Sequence, residues 1–272
     1  MSVYDQGVYQ RGFGTFPLKG DVLARAVRDA AEVGYRAFDT AQWYGNEADL
    51  GAALPAVRVP DEPFLVTTKV HPENIDAARF LPSVEQSLRD LRLDVIDVLL
   101  LHWPPGDGPV EPSLELLQEA HRRGYARHVG VSNYTTTMMR TAVAVMDVPL
   151  AVNQIEFHPL INQEKLLAAS RETGIPLASY CSLARGEIFK YPLLAEIGDR
   201  HGKSAAQVAL RWILQNGVTM NTMSTRRENI QANFDIMDFE LGPDEIRQID
   251  ALTVTNYRIS NADVVPYAPT WD

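Results

Sequence analysis

Residues 95–102 read Val-Ile-Asp-Val-Leu-Leu-Leu-His, an almost unbroken apolar run that ends in a histidine. Such a run is typical of a strand that is buried on both faces, as in a parallel sheet covered by helices. Strand-like runs also end near Ala41, Val70, Asn133, Phe157, Cys181 and Met223, and a shorter one covers residues 12–16. Helical patterns separate these runs, at a repeat of roughly thirty residues. This rhythm predicts an α/β fold, a (β/α)8 TIM barrel.

The segments between the strands carry helix signals. A helical pattern begins at Asp21 and stops at Gly34. Ser83-x-x-Gln86 and Ser204-x-x-Gln207 match the capping box that opens a helix. No linker or low-complexity tract divides the chain, so residues 1–272 are predicted to form one domain, with residues 253–272 as an extended arm over the substrate pocket.

A doubly wound dinucleotide-binding sheet is the competing architecture. That fold opens with G-x-G-x-x-G at its first strand–helix turn. Here Gly12-Phe13-Gly14 is followed by Thr15, Phe16 and Pro17, so the third glycine is missing and a proline occupies the start of the helix. The sequence therefore argues against this alternative.

Composition limits the location and the partners. The chain has 272 residues, 46% hydrophobic and 22% charged, with a net charge of −10. This balance argues against nucleic acid or a membrane as a partner. The single cysteine, Cys181, cannot form an internal disulfide, and neither a signal peptide at Met1 nor a membrane-spanning run is visible. We expect a cytoplasmic protein, a monomer.

Four residues with complementary chemistry follow three successive strands: Asp39, Tyr44, Lys69 and His102. In a parallel barrel these positions meet at the carboxyl rim, where barrel enzymes have their active sites. Tyr44 is the expected proton donor. A cation about 4 Å away contributes on the order of 4 kcal/mol, so Lys69 is expected to lower the pKa of Tyr44.

The other two residues have supporting roles in this scheme. Asp39 is expected to keep Lys69 charged, and His102 to orient a substrate carbonyl. Taken singly, each of the four has a simpler structural explanation: a turn-forming aspartate, a packing tyrosine or a hydrogen-bonded histidine. Their joint occurrence in strand order favours a metal-free site that protonates a carbonyl oxygen.

Several strings resemble the aldo-keto reductase family: residues 34–47 around Asp39-Thr40-Ala41, Thr68-Lys69, Leu101-His102-Trp103-Pro104, Gly130-Val131-Ser132-Asn133 and Asn153-Gln154-Ile155-Glu156. The ending Ala268-Pro269-Thr270-Trp271-Asp272 is similar to that of bacterial 2,5-diketo-D-gluconate reductases. The resemblance implies an oxidoreductase with a nicotinamide cofactor, NADPH or NADP+, and no metal. It also implies a tyrosine acid, in agreement with the role expected for Tyr44.

By this resemblance Ser132, Asn133 and Gln154 hold the carboxamide, and Tyr180 stacks on the nicotinamide ring. Leu183 and Arg185 approach the pyrophosphate, and the stretch after the last strand approaches the adenosine. The full implied cofactor set is Thr15, Ser132, Asn133, Gln154, Tyr180, Cys181, Leu183, Arg185, Ser224, Thr225, Arg226, Asn229 and Asn233.

The sequence departs from the family after the last strand. Met223 and Asn229 stand where many members have the lysine and arginine that clamp the 2′-phosphate of NADPH. Arg226 and Arg227, with Ser224 and Thr225, are candidate replacements at the start of a helix. NADPH is the predicted cofactor, and NADH is the alternative.

The expected substrate pocket is lined by Phe16, Trp43, His71, Trp103, Phe157 and Trp271. The predicted reaction is reversible reduction of an aldehyde, ketone or dicarbonyl to the alcohol. The first alternative is a dehydrogenase that mainly oxidises a secondary alcohol. More distant alternatives are a cofactor-sensing module without activity and a metal-dependent hydrolase using His71, His102, Glu156 and His158.

Overall fold

The computed structural model of the chain describes residues 3–5, 7–59, 62–106 and 108–272, and within them eight parallel strands close into a barrel in sequence order. The strands are β1 Arg11–Gly14, β2 Ala37–Asp39, β3 Leu65–Val70, β4 Ile96–Leu101, β5 Ala126–Ser132, β6 Asn153–Glu156, β7 Leu177–Tyr180 and β8 Thr219–Thr222. β8 pairs with β1 and completes the ring. The predicted single-domain (β/α)8 barrel is confirmed.

Ten α-helices surround the strands in the described part of the chain. They are α1 Gly20–Val33, α2 Glu47–Ala53, α3 Phe80–Leu91, α4 Glu111–Arg122, α5 Thr136–Val145, α6 Glu164–Thr173, α7 Pro192–His201, α8 Ala205–Gln215, α9 Arg227–Phe234 and α10 Pro243–Asp250. Among these residues, no helix combines the length and apolarity that crossing a bilayer requires.

Helix α1 ends where the sequence predicted. Gly34 follows it with φ of 124°, in the left-handed region that favours glycine. A Cβ at this position would lie 2.9 Å from the ring of Phe234. Both the backbone angle and the close ring require a residue without a side chain.

Only one of the two predicted capping boxes forms. Ser204 precedes α8 and accepts from the backbone of Gln207, whose side chain bonds back to Ser204. The prediction for Ser83 is wrong because α3 begins earlier, at Phe80. The Ser83 hydroxyl instead donates 2.8 Å to the Phe80 carbonyl within the first turn.

The amino-terminal end of the barrel is closed by two tyrosines. Tyr4 and Tyr9 precede β1 and pack with Leu65, Val98 and other inward-facing strand residues. The Tyr4 hydroxyl lies 2.7 Å from Thr67 Oγ1 inside the barrel. The larger apolar core lies between the strands and the surrounding helices.

The end of the chain folds back over the opposite rim. A 3-10 helix covers Ala251–Thr255, so the irregular segment begins at Asn256 rather than at residue 253. We refer to residues 256–272 as the arm. Its Tyr257 N–H donates 2.7 Å to the Leu160 carbonyl. At its far end Asp272 accepts from the backbone N–H of Thr136, at the start of α5.

Candidate active site

The four predicted catalytic residues lie on neighbouring strands of the carboxyl rim. Asp39 is the last residue of β2, Lys69 lies near the end of β3, and His102 directly follows β4. Tyr44 ends a short 3-10 helix, Gln42–Tyr44, that follows β2. The parallel register, with Asp39 opposite Thr67 and Lys69 opposite Leu100, places these side chains together.

Lys69 lies at the centre of this group. Its side chain is fully buried, and its ammonium donates to a carboxylate oxygen of Asp39. It also donates 2.9 Å to the Thr40 carbonyl and 3.3 Å to the Tyr44 hydroxyl. Burial alone would lower the pKa of Lys69, but Asp39 and Tyr44 outweigh it, and the pKa is raised. Lys69 is therefore a fixed cation whose three protons have three acceptors.

Tyr44 is protonated at neutral pH. Burial raises its pKa, and the opposing effect of Lys69 does not overcome that rise. This corrects the expectation that Lys69 would bring the pKa of Tyr44 below its ordinary value. The nearby cation favours the phenolate, but the cost of burying a phenolate is larger. A protonated phenol is nevertheless the form that a proton donor needs.

His102 is a neutral imidazole. Burial lowers its pKa well below the ordinary value, and the charges of Lys69 and His71 act in the same direction. Its ring meets Trp43 and Tyr44 edge-on, with centroids 5.6 Å apart in both cases. A neutral imidazole has one N–H to donate and one nitrogen that accepts, so it can hold an oxygen without adding charge.

A cavity of about 640 Å³ opens above Tyr44 and His102. Fourteen of the predicted site residues line it: Thr15, Phe16, Asp39, Trp43, Tyr44, His102, Trp103, Ser132, Asn133, Gln154, Tyr180, Cys181, Leu183 and Arg185. Lys69 is enclosed behind Asp39 and Tyr44. The residues around the whole rim therefore converge on one space.

Sequence reasoning missed other lining residues: Gly14, Pro17, Ser182, Asn221, Thr222, Ser260, Val264 and Val265. Asn221 and Thr222 end β8, so the rule that predicted the four catalytic residues would have found them. Met223 also lines the cavity, although it was considered only as a lost phosphate contact. Ser260, Val264 and Val265 belong to the arm, which has no periodic pattern to reveal them.

The predicted carboxamide residues are joined by hydrogen bonds. Asn133 donates 3.0 Å to the His102 carbonyl, and its Oδ1 accepts from the Tyr180 hydroxyl at 2.7 Å. Gln154 donates 2.8 Å to Asp39 Oδ2, and the Ser132 hydroxyl donates to the Gln154 carbonyl. A bound carboxamide would exchange some of these contacts for its own.

The loop after β7 turns into the cavity. Cys181, Ala184 and Arg185 have φ of 50°, 48° and 51°, in the left-handed region that such residues seldom adopt. This conformation places Leu183 and Arg185 on the wall of the cavity. The Cys181 thiol is not activated, because burial raises its pKa to about 11.

The residues predicted to contact the adenosine end lie beyond the cavity wall, on α9 and the turn before it: Ser224, Thr225, Arg226, Asn229 and Asn233. This stretch directly follows Met223, which lines the cavity; Thr225, Arg226 and Asn229 are exposed, whereas Asn233 is buried. Arg227 bonds elsewhere: its guanidinium meets Asp29 Oδ1 at 3.1 Å and Glu32 Oε2 at 2.6 Å, both on α1. Arg226 has a longer contact, of 3.9 Å between its Nε and Glu228 Oε2.

Three of the aromatic residues expected in the substrate pocket lie behind the residues that line the cavity. Phe157 is buried and stacks on Trp212 of α8, with ring centroids 5.2 Å apart, and it is not among the residues that line the cavity. Trp271 meets the rear of Trp103 and lies under the Arg258 guanidinium. His71 packs against Trp43, with ring centroids 4.9 Å apart, and supports that wall.

The residues of the alternative metal site have other partners. Glu156 and His158 are fully buried and bond to each other at 3.0 Å. Both oxygens of Glu156 also accept backbone N–H groups of the arm. Within the described ranges no group of three potential metal-binding side chains is clustered.

These features define an α/β barrel with a candidate active site on the carboxyl rim. The chain belongs to the Aldo/keto reductase family, whose family profile matches residues 12–254. This assignment confirms the resemblance seen in the sequence.

The most similar proteins include reductases of dicarbonyl compounds. Methylglyoxal reductase DkgB of Escherichia coli O157:H7 is 38% identical over 264 residues, which are 96% of this chain and 98% of the relative. An aldo-keto reductase of Mycobacterium avium is 39% identical, over 89% of this chain and 85% of its own. The crystal structure of a candidate 2,5-diketo-D-gluconic acid reductase B superposes with a TM-score of 0.93 and 41% identity, covering 100% and 97% of the two chains.

Proposed function

We propose that the protein reduces a small aldehyde, ketone or dicarbonyl to the alcohol, in a reversible reaction in which Tyr44 supplies the proton. The observation that carries the proposal is the contact of 3.3 Å between Lys69 Nζ and the Tyr44 hydroxyl, beside His102 at the base of the cavity. A phenol, a buried cation and a neutral imidazole at one point form a proton-donating site for a carbonyl oxygen.

The residues of the cavity fit a nicotinamide nucleotide. Amide and hydroxyl groups of Ser132, Asn133 and Gln154 suit a carboxamide, and the Tyr180 ring offers an aromatic face. Arg185 is a cation on the wall where a pyrophosphate would lie. When bound, this cofactor supplies or accepts the hydride.

The chain's own residues perform the remaining work. His102 donates a hydrogen bond to the substrate oxygen and orients the carbonyl. Tyr44 donates a second bond and transfers its proton as negative charge develops on that oxygen. Lys69 stabilises the phenolate that remains, and Asp39 keeps Lys69 charged and in place. In the oxidative direction the same phenolate accepts the proton of the alcohol.

The lining favours a small uncharged substrate. Around Tyr44 and His102 it presents Phe16, Trp43, Trp103 and two valines of the arm. Arg185 is the one lysine or arginine among the described lining residues, and it faces the proposed pyrophosphate site. A carboxylate next to Tyr44 would thus meet no lysine or arginine on the cavity wall, because the nearby Lys69 is enclosed and paired with Asp39. Methylglyoxal, a neutral dicarbonyl, meets these conditions. It is the compound in the name of the reductase of Escherichia coli O157:H7.

The contacts around α9 bear on the nucleotide. Arg227 is held by Asp29 and Glu32, so Arg226 is the remaining arginine of the pair for a 2′-phosphate. NADPH remains the proposed cofactor, with weak discrimination against NADH. Preference for NADH would favour the alternative, oxidation of a secondary alcohol. The cytoplasmic location and the monomeric state remain predictions.

The test is the initial rate of reduced-nicotinamide oxidation with methylglyoxal, using NADPH and then NADH. Tyr44→Phe is expected to lower kcat by roughly 10²- to 10⁴-fold with little change in nucleotide Kd. Tyr125→Phe is the matched control, because it removes the same hydroxyl from a distant surface pair with Glu85. Undiminished turnover in Tyr44→Phe would refute the acid assignment. If the wild type shows no turnover with either nucleotide, the alternative of a cofactor-sensing module without activity would be favoured.

A further inference from the structure

Glu156 is a buried carboxylate at the end of β6 that the proposed chemistry does not use. It lies two residues beyond Gln154, and its side chain is fully enclosed. One oxygen, Oε1, accepts from the Ile259 N–H at 2.7 Å and contacts His158 Nε2 at 3.0 Å. The other, Oε2, accepts from the Ser260 N–H at 2.8 Å. Three donors therefore converge on one carboxylate.

His158 contributes a neutral donor to this group. Its Nδ1 accepts the Leu160 backbone N–H at 3.2 Å, which assigns the ring proton to Nε2. The proton therefore points to Glu156 Oε1. The negative charge of Glu156 is stabilised by hydrogen bonds, two of them from consecutive residues of the arm.

The arm leads from this anchor to the substrate end of the cavity. Ser260 itself lines the cavity, and Val264 and Val265 continue that wall. Further on, the Tyr267 ring meets Trp43 with centroids 5.7 Å apart. The arm is held again at Asp272, whose carboxylate accepts from the backbone and hydroxyl of Thr136.

The attachments of the arm differ in burial. Glu156 is fully buried, whereas Tyr257, which bonds to the Leu160 carbonyl, is exposed. The bond of the Tyr267 hydroxyl to Glu73 is exposed, and that of Thr136 to Asp272 is part-buried. Water competes with exposed hydrogen bonds, whereas a buried bond to a charged group is costly to lose. The position of the wall formed by Ser260, Val264 and Val265 thus depends chiefly on Glu156.

We infer that Glu156 is a positioning residue that sets substrate affinity by fixing the arm against the cavity, although it touches neither reactant. This inference rests on the proposed function, since it concerns the substrate end of the same cavity. It separates Glu156 from Gln154 on the same strand, which faces the cavity directly. Glu156 should then affect KM, whereas Tyr44 affects kcat.

The decisive variant is Glu156→Gln, which keeps the shape and removes one acceptor. An amide oxygen can accept from Ile259 and His158, but its NH2 group would then face the N–H of Ser260. KM for methylglyoxal is expected to rise about tenfold, as for the loss of one charge-assisted hydrogen bond. kcat should stay within about threefold, because the contact of 3.3 Å between Lys69 and Tyr44 is not altered.

Two further variants make the test specific. Ser260→Pro removes the same hydrogen bond from the side of the arm, and its effect on KM should not add to that of Glu156→Gln. Glu172→Gln is the matched control, since Glu172 pairs with Arg140 on the exterior and should leave KM unchanged. An unchanged KM in Glu156→Gln, a loss confined to kcat, or additive effects would overturn the inference.

Hydrogen exchange tests the anchor without any turnover. In Glu156→Gln the Ile259 and Ser260 amides should exchange at least about tenfold faster than in the wild type, with the β6 amides unchanged. If the wild type reduces no carbonyl but this acceleration is seen, the proposed function fails and the anchor stands. If both amides of Glu156→Gln exchange at the wild-type rate, the anchor is refuted, whatever the activity of the protein.

Discussion

The Gln154 side chain donates a hydrogen bond of 2.8 Å to Asp39 Oδ2 from the opposite side of the barrel. Gln154 lies on β6 and Asp39 on β2, so this bond spans the ring of strands. The other oxygen of Asp39 binds Lys69. Asp39 therefore connects the residues proposed to bind the carboxamide with the residues proposed to donate the proton. A substitution in one set should affect the other.

Asp39→Asn should reduce both stability and rate. Lys69 would remain buried with a neutral partner, and removing one member of a buried pair costs about 3 to 5 kcal/mol. We expect the free energy of unfolding, measured with urea, to fall by about this amount. The reduction rate should fall roughly 10²-fold or more, because Lys69 is then less able to remain charged beside Tyr44.

The control for this variant is Asp238→Asn. Asp238 pairs with Lys203 on the surface, so loss of its charge should leave stability and rate nearly unchanged. Retention of full activity and stability in Asp39→Asn would show that Lys69 does not depend on this carboxylate.

The pH profile of reduction should be flat across the neutral range. The pKa of Tyr44 is raised by burial, so the phenol stays protonated through neutrality. The pKa of His102 is lowered well below its ordinary value, so the imidazole stays neutral. We expect kcat/KM measured from about pH 6 to pH 8 to show no inflection. An inflection near the ordinary histidine pKa that disappears in His102→Asn would contradict this.

Arg226 and Arg227 should differ in their effect on the nucleotide. Arg227 is engaged with Asp29 and Glu32, so Arg227→Ala should leave the NADPH and NADH dissociation constants unchanged. Arg226→Ala should weaken NADPH binding about fivefold, because one exposed ion pair with the 2′-phosphate is lost. NADH binding should be unchanged. Fluorescence titration measures both. An equal loss of NADPH affinity in the two variants would mean that the Arg227 side chain breaks its contacts with α1 when the nucleotide binds.

Phe157→Leu should act on stability and not on catalysis. The ring stacks on Trp212 between the barrel and α8. Replacing it with a smaller apolar side chain should lower the free energy of unfolding by about 1 to 2 kcal/mol. KM should remain that of the wild type. A change in KM without loss of stability would restore Phe157 to the pocket wall.

The strands and the clustering of the candidate catalytic residues could be predicted because both follow from local patterns. Apolar runs reveal buried strands, and the residue at the carboxyl end of each run faces the rim. That rule found Asp39, Lys69 and His102 without any contact information. It fails at β6, where Gln154 lines the cavity, whereas Glu156 at the strand end and Phe157 after it are both enclosed. A strand end predicted to within two residues does not decide which side chain faces the cavity.

Other features depend on partners far away in the chain. The role of Arg227 is set by Asp29 and Glu32 on α1, almost two hundred positions earlier. The start of α3 is set by Asp76, whose carboxylate accepts the Ala78 and Arg79 N–H groups and turns the chain before Ser83 is reached. Burial of Tyr44, which reverses the expected direction of its pKa, is likewise a property of the assembled fold.

The tyrosines at the amino-terminal end of the barrel limit the routes by which molecules can reach the cavity. Tyr4 is buried there against Thr67, so the barrel is a cup with a sealed floor and not a tube. Two reactants that meet at Tyr44 must pass the same mouth. The arm, through Ser260, Val264 and Val265, forms part of the wall of this one mouth.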